Sequence, residues 1–185
     1  MKTVEAIKDE EKLKAMKQYV KSKSARDYCL FLLGINTGIR IHDLLHIKVN
    51  ELMDEAGNMF TYLQSDLYNA PPVYLNDAVQ QALNTCINER DLEHSDFLFK
   101  SRKTNEPISR QQAYRIINEA SKHTGITGSI GTHTLRKTFG YHAYKKGIAI
   151  SLIQKRLQHH TPSDTRQYLG LTTQAPKNLQ LDVNL

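Results

Sequence analysis

The feature that most constrains this chain is a strongly apolar, helix-length segment over residues 25–36, opened by Ser24 and closed near Gly38. With Cys29-Leu30-Phe31-Leu32-Leu33 in its middle, such a helix belongs inside a core, and the stretch is too short to cross a bilayer. Helical periodicity dominates the rest. Leu13, Met16 and Val20 follow the acidic turn Asp9-Glu10-Glu11, which suits the positive end of a helix dipole. A short helix is expected over residues 41–46. Further helices are marked by Asn76 ahead of Val79, Leu83 and Ile87, and by the capping box Ser109 to Gln112 ahead of Ala113, Ile116, Ile117 and Ala120. The C-terminal third predicts helices over 132–146, stopped by Gly147, and over 151–157. A short one starts at Thr161 (cap) and Pro162 (first helical position).

One segment breaks the pattern. Residues 60–64 and 73–75 read as short strands around a loop with Asn69 and Pro71-Pro72, preceded by a turn at Gly57-Asn58. The fold class expected is therefore mainly α with a small antiparallel β-sheet (α+β): one domain over residues 1–172, then a tail over 173–185. In that tail Leu179, Leu181, Val183 and Leu185 alternate as a strand or docking segment would.

At 185 residues the chain suits one compact domain. Lys and Arg number 25 against 19 Asp and Glu, a formal charge of +6, which fits a polyanionic partner as well as it fits plain solubility. Cys29 and Cys86 lie in apolar helical patterns without a CxxC, so reduced buried thiols are expected rather than a disulfide framework or zinc site. The first residues carry no apolar signal core.

Three local patterns carry chemistry. In Thr37-Gly38-Ile39-Arg40, an arginine stands between a buried helix and a short one, and Asp43 lies one turn on where it can orient that arginine. Alone, this is also how a surface salt bridge at a helix start looks. In His133-Thr134-Leu135-Arg136, the i, i+3 spacing puts His133 and Arg136 on one helix face, while Leu135 and Phe139 anchor another. The glycines at 125, 128 and 131 let backbone approach a phosphate, but their spacing is not a dinucleotide fingerprint. In the third, His159 ends one helix and Tyr168 follows nine residues later on the next. The competing reading of Tyr168 is a structural tyrosine with its hydroxyl bonded.

Together, Arg40, His133-x-x-Arg136, His159 and Tyr168, in that order, with the lead-in Thr37-Gly38-x-Arg40 and the run from His133 to Phe139, resemble the phage-integrase or tyrosine-recombinase family over about residues 4–172. The resemblance implies a catalytic domain acting on double-stranded DNA with no metal or nucleotide cofactor. It also implies self-association on DNA as a tetrameric synapse, weak or absent when free, and a cytoplasmic, nucleoid-associated protein of bacterial or mobile-element origin. By position, Arg40, His133, Arg136 and His159 would surround the scissile phosphate and Tyr168 would attack it, with His133 helping to remove the phenolic proton. Two arginine forks stabilise charge on the non-bridging oxygens, and surrounding cations are expected to lower the phenol's pKa.

The chain departs from the family in three respects. Relatives usually carry a lysine general acid between the two strands. Here the equivalent place falls near Asp66, and no lysine occurs between Lys48 and Lys100. Another cation (Lys48, Lys100 or Lys103) could serve, the leaving group could depart unaided, or the protein could be a catalytically impaired DNA-binding or regulatory relative. Gln158 stands where the family has glycine. The N-terminal clamping domain of the family is not in this sequence, which predicts weak, salt-sensitive DNA binding. Rival readings are a metal hydrolase, for which the eight histidines lack an HExxH, and a type IB topoisomerase sharing the same chemistry.

Overall fold

The computed structural model describes residues 4–63 and 71–171. Two helices share one residue as a hinge between them. Helix α1 (Glu10–Lys23) starts on the Asp9 carboxylate, which accepts from the amides of Glu11 and Lys12 at 2.9 and 3.1 Å. Ser24 ends it and also caps α2 (Ala25–Thr37) by accepting from the Asp27 amide at 3.1 Å. As its composition demands, α2 is the buried axis of the domain, with every residue from Cys29 to Ile35 inside.

Gly38 closes α2 in the left-handed region at φ 67°, directly beneath the Phe139 ring. The chain then turns into the short helix α3 (Ile41–Leu45), so Arg40 sits at a bend whose two flanking residues, Ile39 and Ile41, are buried. A 3-10 turn, Val49–Glu51, follows. The Gly57-Asn58 turn is present: Asp54 accepts from the amide and side-chain nitrogen of Asn58 at 2.8 and 2.9 Å.

The sheet is smaller than the sequence suggests. Strand β1 (Tyr62–Leu63) pairs antiparallel with β2 (Val73–Tyr74), Tyr62 opposite Tyr74 and Leu63 opposite Val73. Residues 64–70, with Asp66 and Asn69, lie outside the described residues. Leu63 and Val73 point inward, while the two tyrosines pack on each other outside.

Helix α4 (Asp77–Glu89) starts on the Asn76 side chain, which accepts from the Val79 amide at 3.0 Å. The expected reciprocal cap opens α5 (Arg110–His123), Ser109 and Gln112 bonding each other's amides at 3.2 and 2.9 Å. Helix α6 (Thr132–Lys145) lies against α2. Helices α7 (Ile150–Leu157) and α8 (Pro162–Leu169) pack on α6 and on each other.

Two apolar clusters result. The large one joins α1 to α5 with the base of α6. A small one, Ala143, Ile153, Leu157 and Leu169, holds α7 and α8 against α6. That contact is close: a Cβ on Gly140 would stand 2.5 Å from a Leu169 methyl. The tail expected over 173–185 lies outside the described residues, and no helix among those described is long and apolar enough to cross a membrane.

Candidate active site

Arg136 is the structural centre of the site. Its i, i+3 partner His133 stays exposed near the start of α6, while Arg136 itself is only 8% exposed. One end of its fork donates to the Gly38 carbonyl and the other to the Leu157 carbonyl. The guanidinium thus ties the end of α2 to the end of α7 and satisfies carbonyls that helix ends leave open. Burial pulls its pKa down from the ordinary arginine value, partly opposed by Tyr168 and Asp43.

Arg40 and Asp43 line the same pocket as Arg136, walled by Ile39, Leu63, Pro71 and Val73. Arg40 is exposed, an extended residue at the entry to α3. Asp43 bonds His42 Nδ1 at 3.3 Å, and its charge also reaches Arg136. Partial burial, then Arg110, Arg136 and Lys137, hold His133 below the ordinary imidazole pKa, which keeps it neutral and able to accept a proton.

His159 follows Gln158, which adopts the left-handed conformation (φ 52°, ψ 42°) as the C-cap of α7. This explains why glycine suits that position: a side chain there costs roughly 1–2 kcal/mol. The turn nevertheless places the histidine, whose Nδ1 meets the buried Thr165 hydroxyl at 3.1 Å. Thr165 has one proton to give, either to Nδ1 or to the Thr161 carbonyl at 3.3 Å. Only the first choice leaves the histidine N–H on Nε2, ready to donate. Burial and the Arg136 charge lower the His159 pKa.

Tyr168 packs edge-on against His159, ring centroids 4.9 Å apart at 68°. Its other neighbour is Lys137, whose ammonium lies 4.9 Å from the ring centroid. The hydroxyl is buried and has no hydrogen-bond partner among the described residues, although Arg136 is near enough to pull the phenol's pKa down. The expected lowering of the pKa is corrected: burial raises it, and Arg136 and Arg40 oppose that only in part.

Arg136 is thus the hub: Arg40, His133, His159 and Tyr168 each act on it electrostatically, although His133 is tied to none of the other three and His133, His159 and Tyr168 do not line the pocket. Lys48 lies over the Phe97 ring, Lys100 pairs with Asp96 at 2.6 Å, and Lys103 lines a separate groove with Lys23 and Arg26, so none of these lysines reaches the pocket. Arg90, the one arginine between Lys48 and Lys100, caps α4 beside Arg26 and Arg102, also elsewhere. Sequence reasoning missed Thr165, Lys137 and Arg156. The last lines the pocket and stands three residues before His159, the same spacing as His133 and Arg136. Among the described residues, no three His, Cys, Asp or Glu side chains gather as metal ligands.

The sequence pattern described as the phage integrase family matches residues 6–175. The chain belongs to that family. It is 39% identical over 171 residues to the probable integrase/recombinase YoeC of Bacillus subtilis (strain 168), covering 92% of each chain. Its fold is similar to that of the XerA recombinase, with a TM-score of 0.72 at 23% identity over 89% of this chain and 58% of the other. It is also similar to the XerH site-specific recombinase bound to palindromic difH substrate in a post-cleavage complex, with a TM-score of 0.72 at 21% identity over 88% of this chain and 48% of that one. The chain thus spans about half the length of these solved recombinases.

Proposed function

We propose that this chain cuts and rejoins double-stranded DNA as the catalytic domain of a site-specific recombinase. Tyr168 is the nucleophile, and Arg40, Arg136, His133 and His159 surround the scissile phosphate. The observation that carries this reading is the Tyr168 hydroxyl, buried without a hydrogen-bond partner among the described residues and beside the Arg136 guanidinium. Family membership supports it.

In the forward step the phenolic oxygen attacks phosphorus and its proton passes to neutral His133. The Tyr168 O–P bond forms and the P–O5′ bond breaks. The 5′-oxygen takes up a proton from water and leaves as a hydroxyl, and a 3′-phosphotyrosyl ester remains. The ester keeps the phosphoryl group activated, so a second 5′-hydroxyl reseals the strand by the reverse step. The two arginines and the Nε2 proton of His159 face charge that grows on the non-bridging oxygens. Asp43 orients the pocket's arginines. Four protomers would assemble on two DNA duplexes, with monomers in the absence of DNA, and the protein would act wherever the chromosome or mobile element lies.

A suicide substrate whose cleaved 5′ fragment diffuses away tests the reading. Wild-type protein should form an adduct that survives denaturing electrophoresis, and Tyr168→Phe, which removes one oxygen and little packing, should form none. A chain that binds the DNA yet forms no adduct would be the impaired DNA-binding relative. The lysine-free loop sequence between the strands favours that second reading. DNA with a 5′-bridging sulfur separates the two, because a thiolate leaves without protonation. Cleavage of the sulfur substrate alone would locate the defect at the leaving group.

A further inference from the structure

Arg156 is a third guanidinium in the pocket. It stands on the last turn of α7, half-buried, and lines the same cleft as Arg40 and Arg136. Its Nη1 and Nη2 donate to the carbonyls of Pro71 and Pro72 at 2.8 and 2.6 Å. A guanidinium has five N–H donors, and among the described residues the two carbonyls leave three unused. Carbonyls also leave the charge uncompensated. Among the described residues that line the cleft, Asp43 is the one carboxylate facing three arginines, and the walls are the apolar side chains of Ile39, Leu63, Pro71 and Val73. Arg136 and Arg156 are both drawn partly out of water while Arg40 stands exposed at the rim, and an anion seated among the three makes up for the lost hydration.

We propose that Arg156 is a catalytic residue. One edge of its fork holds the Pro71-Pro72 segment, and the other donates to a non-bridging oxygen of the scissile phosphate alongside Arg40 and Arg136. The inference rests on reading the cleft as the phosphate site. Lysine could not do both jobs, because a point charge lacks the fork. The competing role is purely mechanical, with Arg156 fastening the Pro71-Pro72 segment to α7 and never touching the phosphate.

Charge at the phosphate distinguishes the roles. The rate of Tyr168 adduct formation is measured in single turnover on a suicide duplex with an ordinary phosphodiester, and on one with a methylphosphonate at the scissile position. The methylphosphonate is neutral, so it needs less cationic stabilisation. Arg156→Met, which keeps the stem's bulk, should be slower than wild type by about 10²–10³-fold on the diester, and that deficit should shrink by at least about tenfold on the methylphosphonate. An equal deficit on both substrates would mean a mechanical role and overturn the proposal. If Arg156→Met does not fold by thermal melting, Arg156→Gln, which is also neutral, is read against the same two outcomes. Absence of an adduct from wild-type protein on both substrates would instead sink the proposed function, and this inference with it.

Discussion

Arg40 and Tyr168 both act on Arg136, from regions built very differently. Arg40 grows from α2, whose residues from Cys29 to Ile35 are buried in a cluster shared with α1, α4 and α5. Tyr168 and His159 stand on a layer held by four buried apolar side chains, Ala143, Ile153, Leu157 and Leu169. Arg136 joins the two, since one end of its fork holds Gly38 at the end of α2 and the other holds Leu157 at the end of α7. The contrast teaches a division of labour. Charge stabilisation gains from a rigid frame, whereas the proposed nucleophile sits on the part with less buried apolar contact, the kind of region that opens at lower free energy.

Removing the joint should have the largest effect. Arg136→Ala leaves the Gly38 and Leu157 carbonyls without that donor, and each unsatisfied buried group costs about 1–3 kcal/mol. We expect a drop of that order per carbonyl in denaturant unfolding, and adduct formation lower by about 10²–10³-fold. Arg40→Ala should lose similar activity with stability changed by no more than about 0.5 kcal/mol, because that side chain is exposed. Equal destabilisation by the two would refute the idea that Arg136 ties the regions together.

Gly140→Ala should come next. Its Cβ meets a Leu169 methyl at 2.5 Å, so α8 must shift, at a cost of about 1–3 kcal/mol. Hydrogen exchange should speed up in α7 and α8 and stay slow in α2. Uniform acceleration across the chain would show that the two regions unfold as one unit.

Thr165→Val sharpens the comparison within the C-terminal layer. It keeps the shape and removes the hydroxyl that orients His159, which should slow cleavage by about tenfold while costing about 1 kcal/mol in stability. The pH profile supplies an independent reading. Both histidines have pKa values lowered by burial and neighbouring cations. A base with a lowered pKa stays neutral above it and is lost as pH falls through it, so the acid limb of kcat/KM should lie below the ordinary imidazole value of about 6.5. The limb should disappear in His133→Gln. A limb that persists unchanged in that variant would assign it to another group.

The smallest effect is expected at the turn before His159. Gln158→Gly removes the left-handed strain and should raise stability by about 1 kcal/mol or less, part of the gain being offset by the glutamine's own contacts. Thermal melting checks this, and a loss of stability would mean those contacts outweigh the strain.

Much of the fold was legible because its signals are local. Ser24, Asn76, Ser109 and Thr161 cap helices through amides three residues away, and the apolar run of α2 can only be interior. The order Arg40, His133, Arg136, His159, Tyr168 was likewise written in the chain. What the residues do to one another was not. Arg136 reaches a carbonyl 98 positions away and Arg156 reaches ones 84 and 85 away, and no periodicity encodes a partner at such separation. The sign of the Tyr168 shift turned on the same kind of fact. Sequence supplies the cations, but only tertiary packing decides how much water the hydroxyl loses, and here desolvation outweighs the nearby charges.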